Sequence, residues 1–186
     1  MNKQATFVND LFEEFCVARE DLSEVEGAAL VGRYGIPAAR VDGALGAASI
    51  ATTEAFWTPE PGGRRAVVCP VIEAGALVDL VAFRPSAPAK WWLRTGAAEV
   101  LGGDGLWHAR IYGEPVRVMG NPLAWLRADH PLDVCLLASD ANLIGLLGGV
   151  VQATADTPAT ARWLTQRWQA AMPRLNIAVD TGRAAA

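Results

Sequence analysis

The sequence predicts an α+β fold in which an acidic helical segment precedes an antiparallel β-meander and a small α/β layer with a short parallel sheet. Three observations support this prediction. Apolar residues recur at helical spacing near the start of the chain, runs of β-branched residues follow the prolines and glycines of 58–63, and strand and helix patterns alternate from residue 114. The corresponding segments are 1–58, 59–113 and 114–186, and together they are short enough to form one compact unit.

The composition is that of a chain that folds around an apolar core. The 186 residues are 52% apolar and 19% charged, and the formal net charge is −4. A net negative charge argues against a surface that binds nucleic acid all over, but it allows a local basic patch.

Two further features favour a cytoplasmic location. The three cysteines lie far apart in apolar contexts, as buried free cysteines do in a reduced protein. The first residues lack a signal-peptide pattern, and the uncharged stretch 141–155 is too short and too rich in glycine to span a membrane. We therefore expect no membrane insertion.

The N-terminal segment is predicted to contain three helices. The first carries an apolar stripe formed by Phe7, Val8, Leu11, Phe12, Phe15 and Cys16. Ser23 and Glu26 form a capping-box pattern for a second helix that ends near Gly35, and Pro37 can open a third that reaches about residue 48. Residues 1–26 hold two basic and seven acidic residues, which indicates either a solvated face or a surface on which a partner docks.

The middle segment is predicted to be a meander of three strands. Residues 65–72 and 76–84 are rich in β-branched and aromatic residues, and the short connection between them is typical of a hairpin. Pro70 places the first of these strands at an edge or on a bulge, because proline has no N–H to donate to a sheet. Residues 90–95 form the third strand, and at most one of Trp91 and Trp92 can point into the core.

The C-terminal segment alternates between strands and helices. Strands are predicted at 115–119, 133–138, 150–153 and 176–179, and the second of them is apolar enough to be buried on both faces. Asn121 supplies a cap for a helix over 123–128, a short helix covers 140–147, and Asp156 or Thr157 caps a long helix opened by Pro158. Such alternation indicates a small parallel sheet with crossover helices.

A local basic patch lies in the meander. Six residues form a candidate site for single-stranded nucleic acid, namely Arg64, Arg65, Arg84, Lys90, Trp92 and Arg94. In such a site the cations neutralise phosphates and an exposed tryptophan stacks on an unpaired base. Residues 60–95 hold five basic and three acidic residues, so the positive excess is small.

The sequence contains no standard catalytic motif for a nucleophile, a phosphate-binding loop or a zinc site. His130 is predicted to lie at a helix end, where a cation stabilises the helix dipole, and His108 is predicted to be a strand residue. Neither histidine has a partner at the spacing of a transition-metal site.

Segments 116–122 and 138–145 resemble the Toprim region of phage- and plasmid-type primases, in which acidic residues at the ends of two strands hold Mg²⁺. Met119 and Gly120 stand where that family has glutamate and glycine, Asp140 and Asn142 stand for its two aspartates, and Gly145 stands for a later glycine. The resemblance implies a Toprim-like α/β layer and a metal site at Asp140 and Asn142. Because Mg²⁺ prefers carboxylates, the methionine and the amide imply a degenerate site. A purely structural interpretation makes Asp140 and Asn142 helix-capping residues.

These observations predict a non-catalytic binding or accessory protein, a degenerate relative of the primases of mobile elements, with no cofactor. A protein partner or self-association is favoured over nucleic acid because of the negative net charge. One alternative is single-stranded nucleic-acid binding by the basic meander. Another is a weak Mg²⁺-dependent nucleotidyl-transfer or nuclease-like enzyme that uses Asp140 with acids such as Glu99, Asp104 or Asp133.

Overall fold

The computed structural model describes residues 3–128, 130–137 and 143–172, with side chains from residue 11 onward. The N-terminal half contains helices α1 (Lys3–Asp21), α2 (Glu24–Gly32) and α3 (Ala38–Ala44) and strands β1 (Gly46–Thr52), β2 (Trp57–Pro59), β3 (Arg64–Glu73), β4 (Ala76–Phe83) and β5 (Trp91–Leu93). The remaining elements are β6 (Val100–Leu101), α4 (Gly103–Tyr112), β7 (Val116–Met119), α5 (Pro122–Arg127), β8 (Asp133–Leu136), α6 (Leu143–Leu147), β9 (Ala153–Ala155) and α7 (Pro158–Ala171). The described chain is therefore a mixed α+β protein, as predicted.

The strands form two sheets. Sheet A has five antiparallel strands in the order β2-β1-β3-β4-β5, and it contains the predicted meander. Pro70 lies in β3 beyond the last residue that pairs with β1, which is Val68, and next to a register shift between Val71 and Ile72. On that side β3 has no neighbouring described strand, so the missing N–H of Pro70 costs no ladder bond.

Sheet B has four strands in the order β6-β8-β7-β9. Strand β7 runs parallel to both β8 and β9, which confirms the predicted parallel arrangement, whereas β6 pairs antiparallel with β8. The carboxyl ends of β7, β8 and β9 consequently meet at one edge of the sheet.

Three apolar clusters hold the layers together. The first, which we call the α1 core, joins α1 to one face of sheet A through Phe15, Trp57 and Leu80. The second, the central core, joins the other face of sheet A to α2, α3, α5 and sheet B, and it includes Phe83 and Leu126. The third joins the far face of sheet B to α4, α6 and α7. All three predicted segments thus contribute side chains to the central core.

The predicted helical segment 1–58 requires a correction, because β1 and the start of β2 lie within it. Helix α3 ends at Ala44 instead of near residue 48, and Pro37 is its N-cap residue. The chain becomes extended here because Gly46 passes directly under α1, where an added Cβ would lie 2.6 Å from the backbone carbon of Ala18. The small residues of β1 therefore serve close packing, and their composition gives no strand signal.

The predicted meander segment 59–113 also requires a correction, because it ends in helix α4 and includes the short strand β6. His108 is therefore a helical residue and not a strand residue. Three glycines lie near the start of α4. Because glycine has a low helix propensity, the sequence pattern does not predict a helix there. Gly105 is required by packing, since a Cβ there would lie 2.6 Å from the carbonyl oxygen of Pro131.

The C-terminal elements follow the predicted order, with one shift. Strand β9 lies at Ala153–Ala155 instead of 150–153, because Gly149 has a φ of +82° and prolongs the preceding turn. The caps at Ser23, Asn121 and Thr157 are confirmed, since each side chain accepts a hydrogen bond from a backbone N–H of the first helical turn. The start of the predicted helix 140–147 and the predicted strand 176–179 lie outside the described residues.

A buried carboxylate organises the loop after β5. Asp79 on β4 has no exposed surface, and its two oxygens accept hydrogen bonds from five backbone N–H groups. The donors belong to Leu80, Arg94, Thr95, Ala97 and Ala98. These bonds hold the 94–98 loop against sheet A, and they place Arg94 beside helix α1.

Candidate functional site

Two ion pairs fasten helix α1 to sheet A. Near the middle of α1, the Arg94 guanidinium donates to both carboxylate oxygens of Glu14, at 2.7 and 2.8 Å. At its carboxyl end, Arg65 on β3 donates to Asp21 at 2.6 Å and to Glu26 at 2.7 Å. Acidic residues of the N-terminal segment therefore neutralise cations of the meander.

The Glu26 carboxylate belongs to two interactions at once. It accepts hydrogen bonds from Ser23 in the capping box of α2 and from Arg65 on the neighbouring strand. The Arg65 hydrogen bond, assisted by those from Ser23, lowers the pKa of Glu26 from 4.5 to about 2, and the same carboxylate raises the pKa of Arg65. The ion pair is thus preserved well below neutral pH.

The structure places the six residues of the predicted nucleic-acid site in different environments. Arg65 and Arg94 are engaged by acids, as described above. Trp92 is 9% exposed in the α1 core, and Arg84 lies 5.7 Å from the centre of its ring. Arg64 and Lys90 are exposed. Trp91 is half-buried against the central core, so the tryptophan pair is covered on both faces of the sheet.

A groove of about 560 Å³ opens between α1 and the edge of sheet A formed by β1 and β2. We call it the acidic groove. Its buried floor consists of Ala18, Ala47 and Trp57. Trp57 is fixed there by a hydrogen bond from its indole Nε1 to the carbonyl oxygen of Leu80, at 3.2 Å. The floor is therefore apolar and rigid.

The rim of the acidic groove carries four carboxylates. Glu13, Glu14 and Asp21 come from α1, and Glu60 comes from the segment after β2. Between Glu13 and Asp21, one helical turn from each, Val17 is 66% exposed. Among the described residues that line the groove, every charged side chain is acidic. This combination of an apolar floor and an acidic rim suits an occupant with both apolar and cationic side chains.

The edge where β7, β8 and β9 end presents a different set of polar groups. The N–H of Gly120 donates to Asp156 Oδ2 at 3.2 Å, and an added Cβ on Gly120 would lie 2.5 Å from Thr160 Oγ1. Asp156 Oδ1 is buried and has no hydrogen-bond partner among the described residues. The sequence predicts Asp156 only as a helix cap, and its position beside Gly120 is seen only in the structure.

The proposed metal ligands cannot be compared with this edge, because Asp140 and Asn142 lie outside the described residues. Met119 is 8% exposed and points into the central core. Within the described ranges, no three Asp, Glu, His or Cys side chains converge closely enough to hold a metal ion. One carboxylate with an open oxygen does not by itself make a cation site.

The acids considered as partners for Asp140 lie in two parts of the described structure. Asp133 is buried and forms a two-bond ion pair with Arg117 on β7, at 2.6 and 2.8 Å. Glu99 and Asp104 lie near Glu73 instead. Burial, together with the charges of Glu99 and Asp104, raises the pKa of Glu73. The structure therefore brings Glu99 and Asp104 towards the end of β3 and leaves Asp133 in sheet B.

The two histidines have surroundings that differ from those predicted. His108 stacks on Tyr112 with 4.4 Å between ring centres, and its Nδ1 lies 3.6 Å from the Glu114 carboxylate. His130 does not cap a helix, because α5 ends at Arg127 with Ala128 as its C-cap. Its Nδ1 instead accepts a hydrogen bond from the N–H of Leu132 at 3.2 Å.

The cysteines have structural surroundings. Cys69 and Cys135 are buried in the central core, and Cys16 is half-buried on α1. Burial raises the pKa of Cys69 to about 12 and also raises that of Cys135. Both buried thiols are therefore protonated and unreactive at neutral pH.

Comparison with known proteins identifies no relative, since no family model, curated protein or solved structure matches the chain. None of the described helices combines the length and the apolar character needed to cross a membrane.

Sequence reasoning missed the acidic groove as a site. Its two walls, around Glu13 and Glu60, are far apart in the sequence, and β1 gives no strand signal that would bring them together. The available signal was the acidic excess of residues 1–26, which indicates a solvated face as readily as a docking surface.

Proposed function

We propose that this protein is a non-catalytic binding or accessory protein, and that it holds a segment of a partner protein in the acidic groove. The observation that carries the proposal is the groove itself, an apolar floor of buried side chains beneath a rim of exposed ones. Clefts that combine apolar surface with a few polar groups at fixed positions are where proteins bind peptides and other ligands.

The arrangement of charges supports a protein partner over nucleic acid. Two of the predicted phosphate-binding cations, Arg65 and Arg94, are already paired with carboxylates. The tryptophan predicted to stack on a base, Trp92, is buried. An acidic rim repels a phosphate backbone, whereas it attracts cationic side chains.

A degenerate primase-like origin for the α/β layer is part of the same proposal. It is supported by Met119, which stands at the position of the family's glutamate and packs among apolar side chains instead of facing an open cavity. A thioether in that environment supplies no ligand for Mg²⁺. In this proposal the layer acts as the scaffold that supports sheet A.

The experiment is selection from a library of random phage-displayed peptides, followed by chemical-shift mapping of each enriched peptide on the isotope-labelled protein. The proposal expects enriched peptides that shift the amide resonances of residues 13–21, 47–49 and 57–61. Failure to enrich any peptide, or shifts confined to other surfaces, would refute it.

A further inference from the structure

We infer that the occupant of the acidic groove is an extended segment of the partner that carries both basic and apolar side chains. This inference rests on the proposed function and adds the chemistry of the ligand. Its starting point is a difference among the four rim carboxylates. Glu14 and Asp21 hold Arg94 and Arg65, whereas Glu13 and Glu60 form no ion pair with any described residue.

The two unpaired carboxylates come from different elements that line the groove. Glu13 lies on α1, and Glu60 follows β2. Both are exposed, and neither forms an ion pair with a described cation. A neutral segment bound between them would remove water from the carboxylates and offer no opposite charge in its place. Lysine or arginine side chains would compensate the negative charge of the carboxylates.

Because Glu14 and Asp21 are paired with arginines, the acidic rim does not repel α1 from the sheet. Arg94 and Arg65 reach Glu14 and Asp21 from sheet A and fasten the helix at two points. The remaining negative charge is therefore directed towards the groove opening. It comes from Glu13 on α1 and from Glu60 after β2.

The extended conformation follows from the edge of sheet A. Strand β2 pairs with Ile50–Thr52 of β1, and the N–H of Glu60 bonds to the carbonyl oxygen of Ser49. Before Ser49, β1 has no described strand on that side, and Ala47 and Ala48 line the groove there. A segment laid along this stretch continues the line of β2. Successive side chains then point to opposite faces of the sheet, so every second one lies on the α1 side, beside the apolar floor and the acidic rim.

The test uses calorimetric titration of the full chain at low salt with three short, end-capped peptides. In all three, leucine alternates with a second residue, which is lysine, serine or glutamate. We expect the lysine peptide to bind, and the Glu13→Gln, Glu60→Gln double variant to weaken its binding about tenfold. The matched control is Glu20→Gln with Glu54→Gln, two exposed acids outside the groove, which should change the dissociation constant less than about twofold.

The outcomes distinguish the inference from the function on which it rests. An equal loss of affinity in both double variants would mean general attraction to a negative protein and would overturn the inference. If the serine peptide binds as tightly as the lysine peptide and shifts the groove resonances, the basic character is wrong and the docking function stands. If no peptide shifts those resonances, the inference fails, and the library selection decides the function separately.

Discussion

At the scale of single residues, a few charged side chains stabilise the structure through specific hydrogen bonds and ion pairs. Asp79 is the clearest case, because one buried carboxylate accepts five N–H groups and fixes a loop that has no regular structure. The sequence gives no sign of this role, since Asp79 stands within a strand pattern where an acid would be expected to face solvent. Only the fold brings residues 94–98 to it.

Replacing Asp79 with asparagine should lower the free energy of unfolding by roughly 3 kcal/mol. One carboxylate oxygen becomes an NH₂ group, which cannot accept the hydrogen bonds from Ala97 and Ala98. If the amide is flipped, the bonds lost are those from Leu80, Arg94 and Thr95. Urea unfolding measures the change. Asp42→Asn, at an exposed carboxylate on α3, is the control and should change stability by less than about 0.5 kcal/mol. Equal stabilities for the two variants would contradict this role of Asp79.

Glu26 gives a prediction about pH. Its pKa is lowered from 4.5 to about 2 in the folded protein, so its pairing with Arg65 stabilises the fold above about pH 5. That contribution is lost as the pH falls towards 2. Because the carboxylate is about a third exposed, we expect a contribution of about 1 kcal/mol.

The variant for this measurement is Glu26→Gln, because glutamine retains the capping-box hydrogen bond and loses the charge. It should be less stable than the natural protein at pH 7, and the difference should shrink as the pH is lowered from about 5 towards 3. Urea unfolding across that range measures it. A difference that stays constant over this range would show that the charge of Glu26 has no part in stability.

At the scale of elements, the predictions that succeed are the local ones. Ser23, Asn121 and Thr157 cap their helices as expected, because a cap is decided by residues within one turn. Strand β1 and helix α4 were not predicted, because both use glycines that tertiary packing requires. Gly46 lets β1 pass beneath α1, and Gly105 lets α4 approach Pro131. Local propensity cannot contain that information.

The Gly46→Ala substitution should lower the free energy of unfolding by about 3 kcal/mol, because the new Cβ would meet the backbone of α1 at Ala18. The control is Gly43→Ala in α3, where an added Cβ has no atom within 4 Å. There alanine favours the helix, so stability should rise by up to about 1 kcal/mol. Thermal unfolding with hydrogen exchange of α1 compares the two. Similar effects from both substitutions would contradict the packing of α1 on β1.

At the scale of the whole molecule, the layers share apolar contacts and complementary charges. The N-terminal acids that make residues 1–26 negative engage two arginines of sheet A, and the central core includes α2, sheet A and sheet B. The three segments seen in the sequence are therefore parts of one packed structure. The acidic groove arises at this scale alone, because it needs α1, β1 and the residues after β2 in their final positions.

Because the three segments share the central core, we expect a single cooperative unfolding transition. Far-ultraviolet circular dichroism reports mainly the helices, and tryptophan fluorescence reports sheet A together with the C-terminal layer, where Trp92 and Trp163 lie. We expect the two signals to change at the same urea concentration. A separate transition for the helices would contradict the sharing of the central core among the three segments.

The most direct test of the central claim, that the groove binds a partner segment, compares Val17→Arg with Val25→Arg. Both valines are exposed, at 66% and 80%, so each substitution adds the same charge without disturbing the core. Val17 lines the groove, whereas Val25 lies on α2 outside it. With the peptides enriched from the library, we expect Val17→Arg to abolish measurable binding and Val25→Arg to leave the dissociation constant within about twofold. Unchanged binding to Val17→Arg, or equal loss in both variants, would contradict the central claim.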